Sequence, residues 1–342
     1  MIRTQLELMA AIISKVSPLV LALEEPVVIR GLNGLRFKGG TVRPAALANN
    51  EAPMIKLIGC SDIAFDGVTF EGVTVDKVHR GVGIHAVDCT DIVIEKSDFT
   101  RTYRGIVLWR TIGFDVLRND FATMQSDGVN LSECENGTIQ GNRFTGFVPR
   151  SNAANTLEHP DGIQIYAAAA QKPSRNITIA DNLFTDDLET PFQSIQVKTE
   201  NPSRHTGIHL LRNLSRNALW NAYSMAYCDD SSIIDNVAGC DEGVKSLNQG
   251  VIPWIRVEHC EPWMEGNTAP LYKIGGKAFG FVPAGNVAKM LSPDELAKAV
   301  ADWEAEWRPA PPSAAKPTLA DLLAQVDALR ASIILAMTEE PS

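Results

Sequence analysis

Short stretches of alternating apolar and polar residues recur along most of the chain, and they come in two kinds. The first kind ends in Asn, one further residue and Phe, as in FDVLRNDF (Phe114–Phe121), GTIQGNRF (Gly137–Phe144) and ITIADNLF (Ile177–Phe184). The second kind begins with Gly, as in GIVLW from Gly105 and GIQIY from Gly162. Because a period of two places successive side chains on opposite faces, both kinds predict short β-strands.

The two kinds of strand follow one another in a repeat of about 22 residues that carries insertions of variable length. Repeats this short favour a coil of parallel strands in which each turn lies on the last. On these motifs the chain resembles the right-handed parallel β-helix of the pectin-lyase-like superfamily, over about Val28 to Asn286. The resemblance implies an all-β solenoid of about eight to nine turns. That superfamily includes polysaccharide lyases, glycoside hydrolases, sugar epimerases and phage tailspikes.

Residues at equivalent positions of the repeat are expected to stack on one another. The recurrent Asn residues predict a ladder of amides in a tight turn, and the recurrent Phe residues predict an aromatic stack inside the coil. Four cysteines also recur at one position, without metal-binding spacing, so we expect buried, reduced thiols. These residues are Asn119, Asn142 and Asn182; Phe70, Phe99, Phe121, Phe144 and Phe184; and Cys60, Cys89, Cys134 and Cys228.

The N-terminal residues 1–27 predict an amphipathic helix that caps the open end of the first turn, since solenoids need such caps. Its apolar face would carry Leu6, Met9, Ile12 and Ile13. Charged residues interrupt the apolar run and no cleavage site follows, so we expect no signal peptide. We also expect no membrane insertion, because no stretch is long and apolar enough to span a bilayer.

The C-terminal residues change character after the last repeat. Residues 287–308 predict a helix with a capping box of Ser292 and Glu295, and residues 309–317 form a Pro-rich linker. Residues 318–342 place apolar side chains at alternating spacings of three and four, which predicts a coiled-coil helix. A parallel β-helix followed by such a tail is similar to phage tailspikes, and this resemblance implies a homotrimer. The alternative is an amphipathic helix packed against the coil. The apolar positions are Leu319, Leu322, Val326, Leu329, Ile333 and Ala336.

Polar and aromatic side chains collect on the strands that begin with Gly, around EHPDGIQIYA from Glu158 and SDGVNLS from Ser126. Stacking would align their outward positions in columns on one face. Carboxylates, amides, a cation and aromatic rings there replace the Ser and Thr of an ordinary solvated sheet, which is the mixture a sugar site uses. The candidate substrate-binding residues are Arg104, Trp109, Asn130, Gln164, Tyr166, Gln193, Gln196 and Lys198.

Asp127 and Asp161 are the central catalytic candidates, because they begin neighbouring strands of this face, about 4.8 Å apart. One carboxyl would raise the pKa of the other and leave an acid beside a base, which suits glycoside hydrolysis. Glu158 and His159 are further catalytic candidates. Two long insertions flank these strands and predict the walls of a groove. The alternative is that each Asp only caps its strand through bonds to backbone.

Two enzyme families show partial resemblances to this region. SDGVNLS resembles the N-T-D-G strand of polygalacturonase-type hydrolases, and IQVKT from Ile195 resembles their R-I-K segment, although the G-H-G element is absent. EHPD resembles the D-P-H-D element of mannuronan epimerases and alginate lyases, which implies a base and a neutralising cation or calcium ion. The base would be His159, Tyr166 or Lys198, and the neutraliser Arg104 or a calcium ion held by Glu158, Asp127 and Asp161.

The sequence therefore predicts a protein that binds and cleaves a polysaccharide, most simply a phage tailspike in the virion tail that acts on bacterial surface glycan. One alternative is a bacterial polysaccharide lyase or uronate epimerase, cytoplasmic or secreted by a non-classical route. Another is a non-catalytic spike that recognises glycan or serves a structural role. The net charge of −10 and the isoelectric point near 5.2 disfavour nucleic acid as a partner.

Overall fold

The computed structural model describes residues 2–13, 19–149, 159–185, 192–241, 252–275 and 282–308. The chain consists of two compact units. The first, Met1–Ala301, contains the described strands, and the second, Asp302–Ser342, contains the end of the last described helix. The two described helices are α1 (Gln5–Ile13) and α2 (Pro293–Trp307). No helix among the described residues is long and apolar enough to cross a membrane.

The described residues of the first unit form thirty-two short strands. In chain order they are β1 (Leu19–Leu23), β2 (Val27–Arg30), β3 (Asn33–Val42), β4 (Pro53–Ile58), β5 (Ser61–Asp66), β6 (Thr69–Glu71), β7 (Val73–Val75), β8 (Val78–Arg80), β9 (Val82–Val87), β10 (Thr90–Glu95), β11 (Asp98–Thr100), β12 (Arg104–Trp109), β13 (Ile112–Leu117), β14 (Asp120–Ala122), β15 (Val129–Ser132), β16 (Glu135–Gln140), β17 (Arg143–Thr145), β18 (Asp161–Ala167), β19 (Arg175–Ala180), β20 (Leu183–Thr185), β21 (Gln193–Thr199), β22 (His205–Leu211), β23 (Leu214–Arg216), β24 (Asn221–Ala226), β25 (Cys228–Asp229), β26 (Ser232–Ile234), β27 (Val237–Gly239), β28 (Trp254–Glu258), β29 (Trp263–Glu265), β30 (Thr268–Ala269), β31 (Leu271–Ile274) and β32 (Val287–Ala288).

The strands form a right-handed parallel β-helix, as the sequence predicts. One parallel sheet, which we call the ten-strand sheet, is ordered β2-β4-β9-β12-β15-β18-β21-β24-β28-β31. Each coil continues into a longer strand such as β13 and a three-residue strand such as β14, and both pair in parallel with their equivalents in the next coil. Ten strands in one sheet exceed the eight to nine turns expected. Strands β7 and β8 form an antiparallel hairpin.

Equivalent side chains stack inside the coil, which confirms the predicted aromatic column. The rings of Phe70, Phe99, Phe121, Phe144 and Phe184 lie 4.7–4.9 Å apart between centroids, with interplanar angles of 10° or less. These rings also explain the Gly at the start of the other strands. A Cβ added to Gly105 would lie 2.7 Å from the Phe121 ring, and one added to Gly162 would lie 2.5 Å from the Phe184 ring.

A ladder of buried amides runs beside the aromatic column and confirms the second predicted stack. Each Asn Nδ2 donates to the Oδ1 of the Asn in the next coil at 2.7–3.0 Å, and that Oδ1 also accepts the backbone N–H at 2.9–3.1 Å. The left-handed backbone belongs to the preceding residue, such as Arg118 at φ 54°. The ladder comprises Asn119, Asn142, Asn182, Asn213, Asn236, Asn267 and Asn286. All six cysteines are free thiols.

The N-terminal segment differs from the expected capping helix. Helix α1 is confined to Gln5–Ile13, and Leu19–Leu23, which the sequence assigns to the cap, is the strand β1 paired with β3. The coil therefore begins before Val28. The expected apolar face was also wrong, because Leu6 is 79% exposed while Leu8 is buried. The side chains of residues 12 and 13 lie outside the described part of the chain.

The capping box of helix α2 is confirmed. The Ser292 Oγ accepts the Glu295 backbone N–H at 3.3 Å, and the Glu295 carboxylate accepts the Ser292 backbone N–H at 2.9 Å. The Pro-rich linker 309–317 and the predicted coiled-coil segment 318–342 lie outside the described residues, so both stay predictions.

Replacing Asn142 by Ala should lower the free energy of unfolding by on the order of 3 kcal/mol, because the buried backbone N–H and amide of Asn119 lose their shared acceptor. Thr138→Ala, at a half-buried outward position of β16, should change it by less than about 0.5 kcal/mol. Urea denaturation of both variants measures the difference. Equal effects would contradict a stabilising role for the ladder.

Candidate functional site

The predicted site residues lie on adjacent strands of the ten-strand sheet. Asn130 pairs with Gln164, and Gln164 with Gln196, so these three form one outward column. Trp109 lies beside Ser132 in a second column, where Tyr166 and Lys198 are also neighbours. Strands β12, β15, β18 and β21 position these side chains, because in-register pairing keeps each alternate residue on the outer face.

Asp127 lies two residues before β15, Asp161 is the first residue of β18, and both are buried, at 5% and 1% exposed. The Asp127 Oδ1 accepts the Asp161 backbone N–H at 2.9 Å, so Asp127 does cap the next strand. Its Oδ2 accepts the Asn130 amide at 2.8 Å and lies 3.6 Å from the Arg104 Nε. These N–H groups and the guanidinium stabilise a negative charge on Asp127.

Asp161 has a different environment. Its Oδ2 accepts the Gln164 amide at 2.7 Å, whereas its buried Oδ1 has no hydrogen-bond partner among the described residues. Burial raises the pKa of Asp161 well above its ordinary value, and the nearby carboxylate of Asp127 raises it further. Asp161 therefore favours its protonated form beside Asp127.

A row of amides connects the carboxyls to the outer face. The Asn130 amide donates to the Gln164 Oε1 at 3.2 Å, and the Gln164 amide to the Gln196 Oε1 at 3.3 Å. Gln193, a predicted substrate contact, is instead 4% exposed and accepts a hydrogen bond from Asn221. Asn221 in turn accepts the Trp254 indole N–H at 2.8 Å. Neither Asn221 nor Trp254 is predicted from the sequence, because NAYSMA in β24 and WIRVE in β28 both lack the initial Gly.

A groove with a volume of about 370 Å³ lies on the ten-strand sheet, over strands β9, β12, β15 and β18. Five predicted residues line it, together with His85, Ser132 and Gln171, which were not predicted. Burial lowers the pKa of His85, and the charges of Lys56 and Arg104 lower it further. A larger cavity of about 900 Å³ adjoins Arg204 and His259. Neither lining includes Asp127 or Asp161, but Asn130 and Gln164 of the smaller groove donate hydrogen bonds to these two carboxyls. The five predicted residues in the groove are Arg104, Trp109, Asn130, Gln164 and Tyr166.

The remaining candidates lie apart from the carboxyl pair or outside the described residues. His159 is exposed, and its ring lies 4.7 Å from that of Trp220. Lys198 is exposed beside Tyr166. Glu158 lies outside the described residues, which contain no cluster of three potential metal ligands. The Asp127 oxygens accept N–H donors, an arrangement that does not fit a calcium site.

Residues 55–236, more than half of the chain, match the family described as the right-handed beta helix region. The chain belongs to this family of right-handed β-helix proteins. No curated protein sequence matches the chain significantly.

Several solved structures share the fold. PfbA, a surface adhesin of Streptococcus pneumoniae, is 14% identical, with 74% of this chain and 62% of that chain covered and a TM-score of 0.52. The Dettilon tailspike protein is 14% identical, with 85% and 65% covered and a TM-score of 0.47. The polygalacturonase of Erwinia carotovora ssp. carotovora is 15% identical, with 73% and 74% covered and a TM-score of 0.42. The chain spans less than two thirds of the first two proteins, and the likeness shows the fold alone.

Asp161→Asn should raise the melting temperature at pH 7. Because the folded-state pKa of Asp161 is raised, its contribution to stability is fully present below about pH 4 and is lost as pH rises toward that pKa. The amide cannot ionise, so the advantage of the variant should vanish in acid. Melting curves from pH 3.5 to 8 measure this change.

Asp127→Asn is the matched variant and should lower stability by about 1–3 kcal/mol, because an amide has one acceptor oxygen where the carboxylate uses two. Parallel shifts of both variants at every pH would contradict the different charge states assigned to the two residues.

Proposed function

We propose that the protein binds a polysaccharide on the ten-strand sheet and hydrolyses it with the Asp127–Asp161 pair. One observation carries the proposal: aromatic rings and amides line the groove of about 370 Å³, and one of these amides, Gln164, donates to the buried Asp161 carboxyl, whose pKa is raised well above the ordinary value. The amides donate to and accept from sugar hydroxyls, the rings offer stacking surfaces, and the carboxyl supplies a proton.

In this mechanism Asp161 protonates the glycosidic oxygen of the leaving group. Asp127, whose charge Arg104 and Asn130 stabilise, attacks the anomeric carbon and forms a glycosyl ester as the glycosidic C–O bond breaks. The ionised Asp161 then takes a proton from a water that hydrolyses this ester, which restores both carboxyls. Adjacent coils are about 4.8 Å apart, close to the roughly 5–5.5 Å between the carboxyls of retaining glycosidases. A separation this short leaves no room for a water between carboxylate and sugar. We therefore expect the product to retain the anomeric configuration.

Non-catalytic glycan binding is the second candidate, and the burial of both carboxyls favours it. With Asp161 1% exposed and Asp127 bonded to the next strand, cleavage requires the neighbouring amides to rearrange when substrate binds. A lyase or epimerase has less support. Tyr166 is the candidate base in the described lining of the groove, and burial and its hydrogen bond to Glu200 raise its pKa, so that it stays protonated at neutral pH.

Asp161→Asn should reduce turnover by about 100-fold or more while leaving glycan affinity unchanged, because the amide cannot deliver a proton. Asp115→Asn, at a half-buried outward position of β13, is the matched control and should keep full turnover. The assay incubates each protein with capsular polysaccharide, lipopolysaccharide, polygalacturonate, alginate and α-glucan. It then measures new reducing ends, unsaturated products and the anomer released.

Unsaturated products would contradict hydrolysis in favour of a lyase. Binding by the wild-type protein without any product would favour the non-catalytic spike. A wild-type protein that binds none of these glycans would contradict both forms of the proposal.

The biological setting that we propose is the tail of a phage virion, with bacterial surface glycan as substrate and the chain as a homotrimer. The support is the order of elements along the chain, a β-helix followed by the predicted coiled-coil positions from Leu319 to Ala336.

Sedimentation of the full chain should give the mass of a trimer, whereas a chain that ends at Ala310 should give a monomer, because it lacks the coiled-coil positions. Circular dichroism checks that the shortened chain keeps its β-structure. Equal masses would show that the C-terminal apolar positions do not hold the oligomer together.

A further inference from the structure

Two aromatic rings of the groove lie on either side of a small residue in one column of the ten-strand sheet. Trp109 is paired with Ser132, and the register of β15 with β18 places Tyr166 next in the same column. All three residues line the groove. Ser132 therefore interrupts an otherwise aromatic column on the outer face of the coil.

Both rings are held in place by acids of the following coil. The Trp109 indole N–H donates to the Glu133 carboxylate at 2.8 Å, and the Tyr166 hydroxyl is hydrogen-bonded to Glu200. The Arg110 guanidinium lies 4.0 Å from the centre of the Trp109 ring and pairs with Asp88 of the preceding coil. One face of Trp109 is thus covered, and the other is left for the groove.

The gap over Ser132 has the width of one ring. Rings at equivalent positions of successive coils lie 4.7–4.9 Å apart inside this protein. Trp109 and Tyr166 are two coils apart, about 9.6 Å, so a third ring fits between them. In addition, the buried Ser132 Oγ and Asn130 Oδ1 have no hydrogen-bond partner among the described residues. Such oxygens indicate a missing donor, such as a hydroxyl group of a ligand.

We infer that this slot binds a single neutral pyranose ring between Trp109 and Tyr166, an inference that rests on the proposed function and locates one sugar subsite. The C–H faces of the sugar contact the two aromatic rings. Its hydroxyls donate to Ser132 and Asn130. The carboxylates of Glu133 and Glu200 beside the slot favour hydroxyl donors over an acidic sugar at this position. Arg110 acts as a positioning residue for Trp109.

Ser132→Phe tests the inference, because a third ring in the column should fill the slot as the internal Phe residues fill theirs. We expect binding of the glycan selected by the wild-type protein to weaken by about tenfold or more, with an unchanged melting temperature. Thr138→Phe places the same ring at an outward position of β16 and should keep wild-type affinity. Titration calorimetry with oligosaccharides of the five polysaccharides named above gives the affinities.

Tyr166→Ala removes a partly exposed ring without adding volume, and should also weaken binding about tenfold even if Ser132→Phe folds poorly. Wild-type affinity in Tyr166→Ala, or in a folded Ser132→Phe protein, overturns the slot and leaves the proposed function standing. Failure of the wild-type protein to bind any oligosaccharide overturns the proposed function, and the slot with it.

Discussion

The in-register stacking of successive coils is the constraint on which the other features of this protein depend. Parallel pairing places every residue directly beside its equivalent one coil away, about 4.8 Å distant. A column of residues is therefore stable only when each side chain packs or bonds favourably with the side chains at the same position in the neighbouring coils. Phenyl rings stack, and an amide both donates and accepts, so Phe and Asn columns extend over many coils. Carboxylates in adjacent coils repel one another.

The Asp127–Asp161 pair violates this rule, which is the strongest reason to regard it as functional. Elsewhere acids of adjacent coils lie next to a cation. Asp66 and Glu95 pair in register and lie 3.8 Å and 3.3 Å from the Lys96 Nζ, and Asp120 and Asp181 face Arg143 and Arg212. At the Asp127–Asp161 pair, Arg104 lies 3.6 Å from Asp127, and the buried Asp161 Oδ1 has no hydrogen-bond partner among the described residues. Two adjacent buried carboxyls lower the stability of the fold, whereas an Arg or Asn at one of the two positions would not. Such a loss of stability is typical of sites retained for chemistry.

The sequence predicts the fold well where Gly and Phe occur together, because the ring packs against the missing Cβ. Where Phe is replaced by Ser215, the Gly is replaced by Ser194, and the two hydroxyls bond at 2.7 Å. In the described coils after this one, no Phe ring packs against a strand-initial Gly. The Gly–Phe sequence pattern is therefore absent there, and it does not predict β24. Strand β1, LVLAL, was assigned to the cap because a short apolar run does not distinguish strand from helix. The columns of residues in the groove could be predicted, because they follow from strand register. The burial of Gln193 and the buried oxygens without hydrogen-bond partners could not, because they depend on side-chain packing that the sequence repeat does not determine.

The position of the groove follows from the difference between uniform and mixed columns. A uniform column satisfies each member with its two neighbours and leaves nothing for a ligand. A mixed column leaves gaps and unmatched polar atoms, since neighbours of different size and chemistry cannot complete one another. Five buried side-chain oxygens have no hydrogen-bond partner in the described part of the chain, and three of them, on Asn130, Ser132 and Asp161, belong to the adjacent strands β15 and β18. The same two strands carry the carboxyl pair and border the slot. The proposed recognition and the proposed chemistry therefore lie at the coils where side chains of neighbouring coils match least.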